Sequence, residues 1–513
     1  MARGGSANLA GAFVNGVVGF LLVLVVTRTL DKAAAGTFFA LTSVFLIVLA
    51  AVELGATTGV ARWIPHYLAL GRARDVRAVL RAALGPVLVV STVTALLAWP
   101  LAPAVLSLLG GGADAHPAGG PIGAPIVDPA VLRALAAFLP VAACYDILLA
   151  ATRGFHRIRP TLLVERLGRV PVQFLLVVMA AGLGGGVLAV GTAWALPYLP
   201  ALLIVIWLTA RLLLAGERGG RPSPAAGSDQ GSIAGEFWRY TWARGLSRIF
   251  QVALQRADIV LIAAMLTPRD AAVYTAATRL VPVGLLGVQA VQQVLQPSMS
   301  RLLALGDLAA AGRIYRASTA WATAMAWPIY CTAAAFAPQI LRLFGPGYDA
   351  GSAAMVWVCL AMLVGTACGA ADLTLLMSGR STLSLWNTAV ALAADILLNL
   401  LLLPRIGITG AGMAWATAIL LTNLPPLAQV RRYVGLTPFS RGALLVATAS
   451  ALVFGAGSLL ALRLLGSASL FPAALWVLPA TAIYLGVLSR AGRLLELHRL
   501  APARIRRSEV SVG

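Results

Sequence analysis

Tyr240, Arg244, Arg248, Gln251, Gln255 and Asp258 follow one another at intervals of three or four residues, which places them on one face of an α-helix. A second stripe runs through Thr275, Thr278, Arg279, Pro282, Gln289, Gln292, Gln293 and Gln296. Asn8, Gly11, Asn15 and Gly19 form a shorter face near the start of the chain, with Arg28 beyond its end. Guanidinium groups present planar forks that match phosphate oxygens in pairs, and the amides and hydroxyls beside them suit sugar hydroxyls. Such a surface fits an amphiphile with a diphosphate head, a glycan and a lipid tail. A cation exporter would place carboxylates there instead. Two structural alternatives remain open: Arg244 lies near enough to a membrane surface to snorkel, and the glutamines also serve as interhelical hydrogen-bond donors.

Glu53, Asp146, Asp258, Asp372 and Asp395 are acids within or at the ends of apolar runs; Glu53, Asp146, Asp258 and Asp395 could gate a pathway or couple it to H+ or Na+, and a cation-coupled exporter would use Asp258, Asp372 or Asp395. An ionisable group inside a bilayer costs about 2.5–3.5 kcal/mol on insertion scales, so each needs a reason to be there. The competing reason is pairing: Glu53 with Arg62, Asp146 with Arg153, and Asp258 with Arg269 or Arg279. Asp395 shares a helical face with Asn387, Thr388 and Asn399, which also suits packing inside a bundle. No cofactor or metal is expected. Cys144, Cys331, Cys359 and Cys368 stand apart in apolar stretches, and the four histidines are scattered. The only lysine, Lys32, is not part of a nucleotide-binding G-x-x-x-x-G-K-[ST] loop.

The elements that must hold these stripes follow from composition. Of 513 residues 60% are apolar and 11% charged, against about 25% charged in an ordinary soluble chain; mean hydropathy is +0.88. The fold class expected is an all-α polytopic membrane protein. A span needs about 20 mainly apolar residues. Fourteen runs qualify, near 7–28, 36–58, 79–109, 130–152, 161–184, 187–210, 237–264, 271–297, 317–344, 351–378, 382–403, 409–430, 441–465 and 470–490. The net charge of +21 would suit a nucleic-acid binder on a soluble surface, but here the arginines punctuate apolar runs. Alternate loops separate into an arginine-rich set (62–81, 153–159, 211–221, 301–313, 380, 431–432 and the tail from 490) and a sparse one. By the positive-inside rule both termini face the cytoplasm, and no nucleic acid is expected as a partner.

The chain also repeats itself. LDKAAAGTFFA (30–40) matches LTPRDAAVYTA (266–276) at an offset of 236, and LALG recurs at 68–71 and 303–306 at an offset of 235. Both copies of each fall in equivalent loops, so the halves are parallel repeats of the kind that alternate access by rocking. The division expected is a six-helix bundle over 1–216, a Gly/Ser/Pro linker over 217–236, a second bundle over 237–436, two added helices over 437–490 and a basic tail over 491–513.

VTRTLDKAAAGTFFALTSV (26–44) and AAVELGATTGVARWIPHYLALG (50–71) resemble the first two helices and loop of Wzx-type polysaccharide-repeat flippases of the multidrug/oligosaccharidyl-lipid/polysaccharide (MOP) exporter superfamily. WARGLSRIFQVALQRADIVLIAAMLTPRDAAVYTAATRLV (242–281) resembles the start of their second half, and LLLPRIGITGAGMAWATAI (401–419) their turn between helices 11 and 12. The resemblance implies a two-lobed transporter with a cationic central cavity, working by alternating access. Its substrate would be a polyprenyl-diphosphate-linked oligosaccharide, flipped across the cytoplasmic membrane for cell-surface polysaccharide synthesis. Arg244, Arg248 and Arg279 would bind the headgroup, with Arg28 near the outer exit. Membrane lipids, a polysaccharide polymerase and glycosyltransferases are the partners it implies. A cation-coupled multidrug exporter and a lipid II-type flippase are the rivals within the superfamily. An envelope enzyme would need acids or a histidine in a large outer loop, for which 110–129 offers Asp114, His116 and Asp128 among Gly and Pro.

Overall fold

A computed structural model describes residues 2–109, 128–157, 159–219, 230–466 and 471–490. The outer loop up to residue 127, the linker over 220–229, the tail from 491 and the side chain of Asn8 lie outside what is described. Among the described residues every regular element is helical. In chain order these are α1 (Ala2–Thr29), α2 (Lys32–Val52), α3 (Ala56–Ala69), α4 (Asp75–Leu109), α5 (Ala130–Ala137), α6 (Leu139–Gly154) and α7 (Val170–Gly182). They continue with α8 (Val187–Ala195), α9 (Tyr198–Gly219), α10 (Gln230–Met265), α11 (Pro268–Thr278), α12 (Val281–Ala304), α13 (Leu308–Ala335) and α14 (Ala337–Leu341). The last are α15 (Ser352–Ala367), α16 (Ala371–Met377), α17 (Ser381–Ile406), α18 (Ile408–Tyr433), α19 (Arg441–Ser450), α20 (Gly457–Leu465) and α21 (Phe471–Arg490). Two π-helical segments, Thr161–Arg169 and Ala451–Ala456, lead into α7 and α20.

By length and composition eight stretches among the described residues are able to cross a membrane, and two shorter apolar helices, Phe13–Thr29 and Leu475–Arg490, accompany them. This is fewer than the fourteen runs read from the sequence. The α10 run is one of those missing from the eight, because Arg244, Arg248, Arg256 and Asp258 within it lower its own hydropathy. The run at 161–184 is divided between π turns and the 13-residue α7.

Two compact units divide the packing. The first holds residues 1–279, 341–354 and 392–415, the second 280–340, 355–391 and 416–513. In the first, α2 is the most enclosed helix, with thirteen buried residues from Ala35 to Val52, and it packs against α10 and α11. In the second, α13 is central: Ala320, Ala324 and Cys331 pack with Val446, Phe454, Ala480 and Tyr484. Lower on the same helix, Ala311 and Tyr315 pack with Leu295, Met299, Leu375, Val430 and Leu436.

The sequence repeat is visible as local structure. Asp31 caps α2 by accepting from the N–H groups of Ala33 and Ala34, and Thr267, its repeat equivalent, caps α11 by accepting from Asp270. The two LALG copies end α3 and α12 alike, and the glycines that close them have φ of +70° at Gly71 and +72° at Gly306. Only glycine takes that left-handed conformation without steric cost. Within the first unit the two repeats meet. Gly36 lies against Ala272, the position the offset assigns to it, so closely that a Cβ would overlap the Pro268 carbonyl.

Candidate functional site

The stripe on α10 is accessible in its middle and ends buried at Asp258. Arg248, Gln251 and Gln255 are exposed and Arg244 is half-buried. A 36-residue helix with no internal proline carries them, so the i, i+3, i+4 register is unbroken. On α1, Asn15 is exposed. Gln289 is exposed on α12 in the second unit.

The other two arginines are anchored to backbone. Arg279 is half-buried and donates from Nε and Nη2 to the Gly19 carbonyl on α1, at 2.9 and 2.6 Å. It thereby ties the end of α11 to the first helix. Arg28 donates from Nε to the Leu343 carbonyl at 2.6 Å and from Nη2 to that of Arg342 at 3.4 Å. Arg342 in turn pairs with Asp349 at 3.3 Å.

Glu53 and Asp146 come together as a pair of carboxyl groups that act electrostatically on one another. Glu53 is 4% exposed. Its position depends on a break after α2, where Leu54 has φ +51° and Gly55 φ +77°, and where the Gly55 backbone runs directly against Gly245 of α10. One turn beyond Gly245, Arg248 acts electrostatically on both carboxyls, as Arg153 does on Glu53 and Arg169 on Asp146. Arg62 is not the partner of Glu53: its guanidinium lies 3.9 Å from the centre of the Tyr240 ring.

Beside this pair is a group that sequence reasoning missed. Arg169 grips Glu165 with two hydrogen bonds, one from Nε at 2.8 Å. Tyr145 donates to Glu165 Oε2 at 2.6 Å, and the Arg169 guanidinium lies 4.3 Å from the centre of the Tyr198 ring. The only signal was the i, i+4 spacing of Glu165 and Arg169, which in an apolar run reads as an ordinary helix-surface pair.

Asp258 and Asp395 form the second acidic pair, 4% and 0% exposed. Tyr274 donates to Asp258 Oδ2 at 2.6 Å and Asn399 Nδ2 to Asp258 Oδ1 at 2.9 Å. Asp395 faces Asp258. Asp258 is thus held by a phenol and an amide rather than by Arg269 or Arg279. Both Asp395 carboxyl oxygens and Asn399 Oδ1 are buried with no hydrogen-bond partner among the described residues. Asn387, which shares a face with Asp395 in the sequence, instead exchanges amide hydrogen bonds with Gln429 at 2.8 and 3.1 Å in the second unit. Among the described residues no group of three or more His, Cys, Asp or Glu is placed to hold a metal, and all four cysteines are free.

Comparison with known proteins defines the class. Residues 160–349 match the family model described as a polysaccharide biosynthesis protein. The fold is shared with lipid II flippase MurJ in an inward closed conformation, at TM-score 0.73 and 11% identity, over 96% of this chain and 99% of that one. It is shared also with a multidrug resistance MATE family transporter of the MOP superfamily in an inward-facing conformation (TM-score 0.60, 15% identity, 84% and 94% coverage). A MOP superfamily transporter of Pyrococcus furiosus with a binding pocket of reversed polarity aligns at TM-score 0.54 and 16% identity, over 84% and 95%. No curated protein matches by sequence. The chain is therefore a polytopic helical membrane protein with the MOP transporter fold. The fold is the one that the resemblance to MOP exporters implied, and residues 160–349 add a match to a polysaccharide-biosynthesis family model.

Proposed function

We propose that the chain flips polyprenyl-diphosphate-linked oligosaccharide repeat units across the bacterial cytoplasmic membrane by alternating access, with both termini in the cytoplasm. The observation that carries this reading is the α10 stripe: Arg248, Gln251 and Gln255 exposed at helical register beside half-buried Arg244. Cations set among amides on a membrane helix suit a phosphate-bearing, glycosylated head, and the stripe falls inside the segment that matches the polysaccharide family model. Arg279, Gln289, Arg28 and Asn15 complete the proposed substrate path. A polymerase and glycosyltransferases would supply and consume the glycan. The chain would act as a transporter rather than an enzyme.

Coupling is assigned to the second acidic pair. Three buried oxygens without donors around Asp258, Asp395 and Asn399 suit a proton or a hard cation such as Na+, which favours oxygen ligands. Glu53 and Asp146, ringed by arginines, suit a gate. The same acidic cluster is what a cation-coupled small-molecule exporter would use, and the extent of the fold likeness to a lipid II flippase favours a lipid-diphosphate substrate over that alternative. Proteoliposomes carrying the purified chain and a fluorescent polyprenyl-diphosphate oligosaccharide separate the readings. Flipping of that lipid, inhibited by Arg248→Ala, supports the proposal, whereas export of organic cations with no lipid flipping overturns it.

A further inference from the structure

Two small cavities open at one end of the second unit, and neither is part of the α10 stripe or of the acidic pairs. The first, of about 500 Å³, is lined by Leu424, Leu427, Ala428, Arg431, Arg432 and Phe439, among others. The second, of about 360 Å³, includes Leu303, Met377, Arg380 and Tyr433 in its wall. The Tyr433 ring belongs to the second cavity: the guanidinium of Arg380, in the same wall, lies 5.1 Å from its centre, and that of Arg432, from the first cavity, 5.7 Å. Among the described residues no acid lines either cavity, and Arg431 and Arg432 form no ion pair there.

The first cavity is built like an amphiphile. Leu424 and Phe439, 44% and 63% exposed, form an apolar wall, and the cations stand about two helical turns along α18 from Leu424. The far side is held in place by its own anchor. After α18 the chain turns at Gly435, with φ +77°, buries Leu436 in the core beside Val430 and Tyr315, and then presents Phe439 outward. Helix-terminal arginines alone would be accounted for by the dipole of α18. The exposed aromatic wall beside them is not. A soluble anion would use the arginines and leave the wall wet.

We propose that this end of the second unit is a binding site for an anionic phospholipid of the surrounding bilayer. Its phosphate sits between Arg431 and Arg432, and an acyl chain lies along Leu424 and Phe439. Basic pockets at the membrane surface bind lipid headgroups in this way, each Arg contributing about 1 kcal/mol. The site is distinct from the proposed transport path and does not depend on which substrate is flipped.

The test is native mass spectrometry of the full-length chain titrated with cardiolipin and with phosphatidylcholine. Cardiolipin is expected to bind and phosphatidylcholine not. Arg431→Gln with Arg432→Gln should weaken cardiolipin binding about 30-fold, the equivalent of two charges at about 1 kcal/mol each. The same charge loss at exposed Arg74 and Arg81 should leave it unchanged. Ala428→Trp, which fills the slot and keeps every charge, should also abolish binding, so the proposal does not rest on the arginine variant folding. Equal losses in both double-arginine variants would reduce the effect to general charge attraction and overturn the site. Unaltered binding in Ala428→Trp, or full displacement of the lipid by inorganic phosphate, would overturn it as well.

Discussion

Two acidic pairs lie in the first unit, and their surroundings are opposite. Glu53 and Asp146 are within electrostatic range of Arg153, Arg169 and Arg248, so the chain supplies the positive charge they require. Asp258 and Asp395 have a tyrosine and an asparagine for company and leave buried oxygens without donors. A buried charge is tolerated when paired and hydrogen-bonded. The first pair meets that condition from within the chain, and the second meets it only with a positive charge taken from outside. On the proposed reading one is a joint between helices and the other a place for an ion.

Removing the internal cation should produce the largest effect. Arg169→Ala leaves the half-buried Glu165, beside the first acidic pair, with Tyr145 as its donor and no paired cation, and breaking a buried ion pair costs up to about 3–5 kcal/mol. The expected outcome is a clear fall in the melting temperature of the detergent-solubilised protein. An unchanged melting temperature would mean that the cations do not hold the first pair. Tyr274→Phe is the matching change at the second pair, where loss of one donor to a carboxylate is expected to cost about 1–3 kcal/mol in the same assay. A larger loss there than in Arg169→Ala would reverse the comparison. The third test separates roles rather than stabilities. Asp395→Asn should reduce the dependence of transport on an imposed Na+ or H+ gradient at least about tenfold, equivalent to about 1.4 kcal/mol. Glu53→Gln should preserve that dependence. Equal loss in both variants would erase the distinction.

What the sequence makes legible is periodic or local. The α10 stripe is one helical face in the sequence, and its middle, Arg248, Gln251 and Gln255, is exposed in the structure, because register within a single helix needs no tertiary information. The repeat was readable for the same reason, since Asp31 and Thr267 cap their helices by purely local bonds. The acidic pairs were legible only as single residues. Asn399 reaches Asp258 across 141 positions, and no spacing rule links side chains on helices so far apart. Pairing each acid with a nearby arginine was the reasonable local guess, and packing overrode it: Arg62 stacks on Tyr240, Arg279 binds the Gly19 carbonyl, and the acids face one another. The π-helical segment at Thr161–Arg169 escaped notice because no residue spacing in it marks a π turn off from an α turn.

The central claim is that Arg248 and its neighbours on α10 receive a phosphate-bearing lipid-linked glycan. The most direct measurement is the initial rate at which a fluorescent polyprenyl-diphosphate oligosaccharide is flipped by the Arg248→Ala protein in proteoliposomes, with insertion matched to the parent. Loss of a hydrogen-bonded charge contact of about 1.5–3 kcal/mol predicts flipping slower by about tenfold or more, with Arg248→Lys intermediate. Flipping at the parental rate in Arg248→Ala would contradict the account.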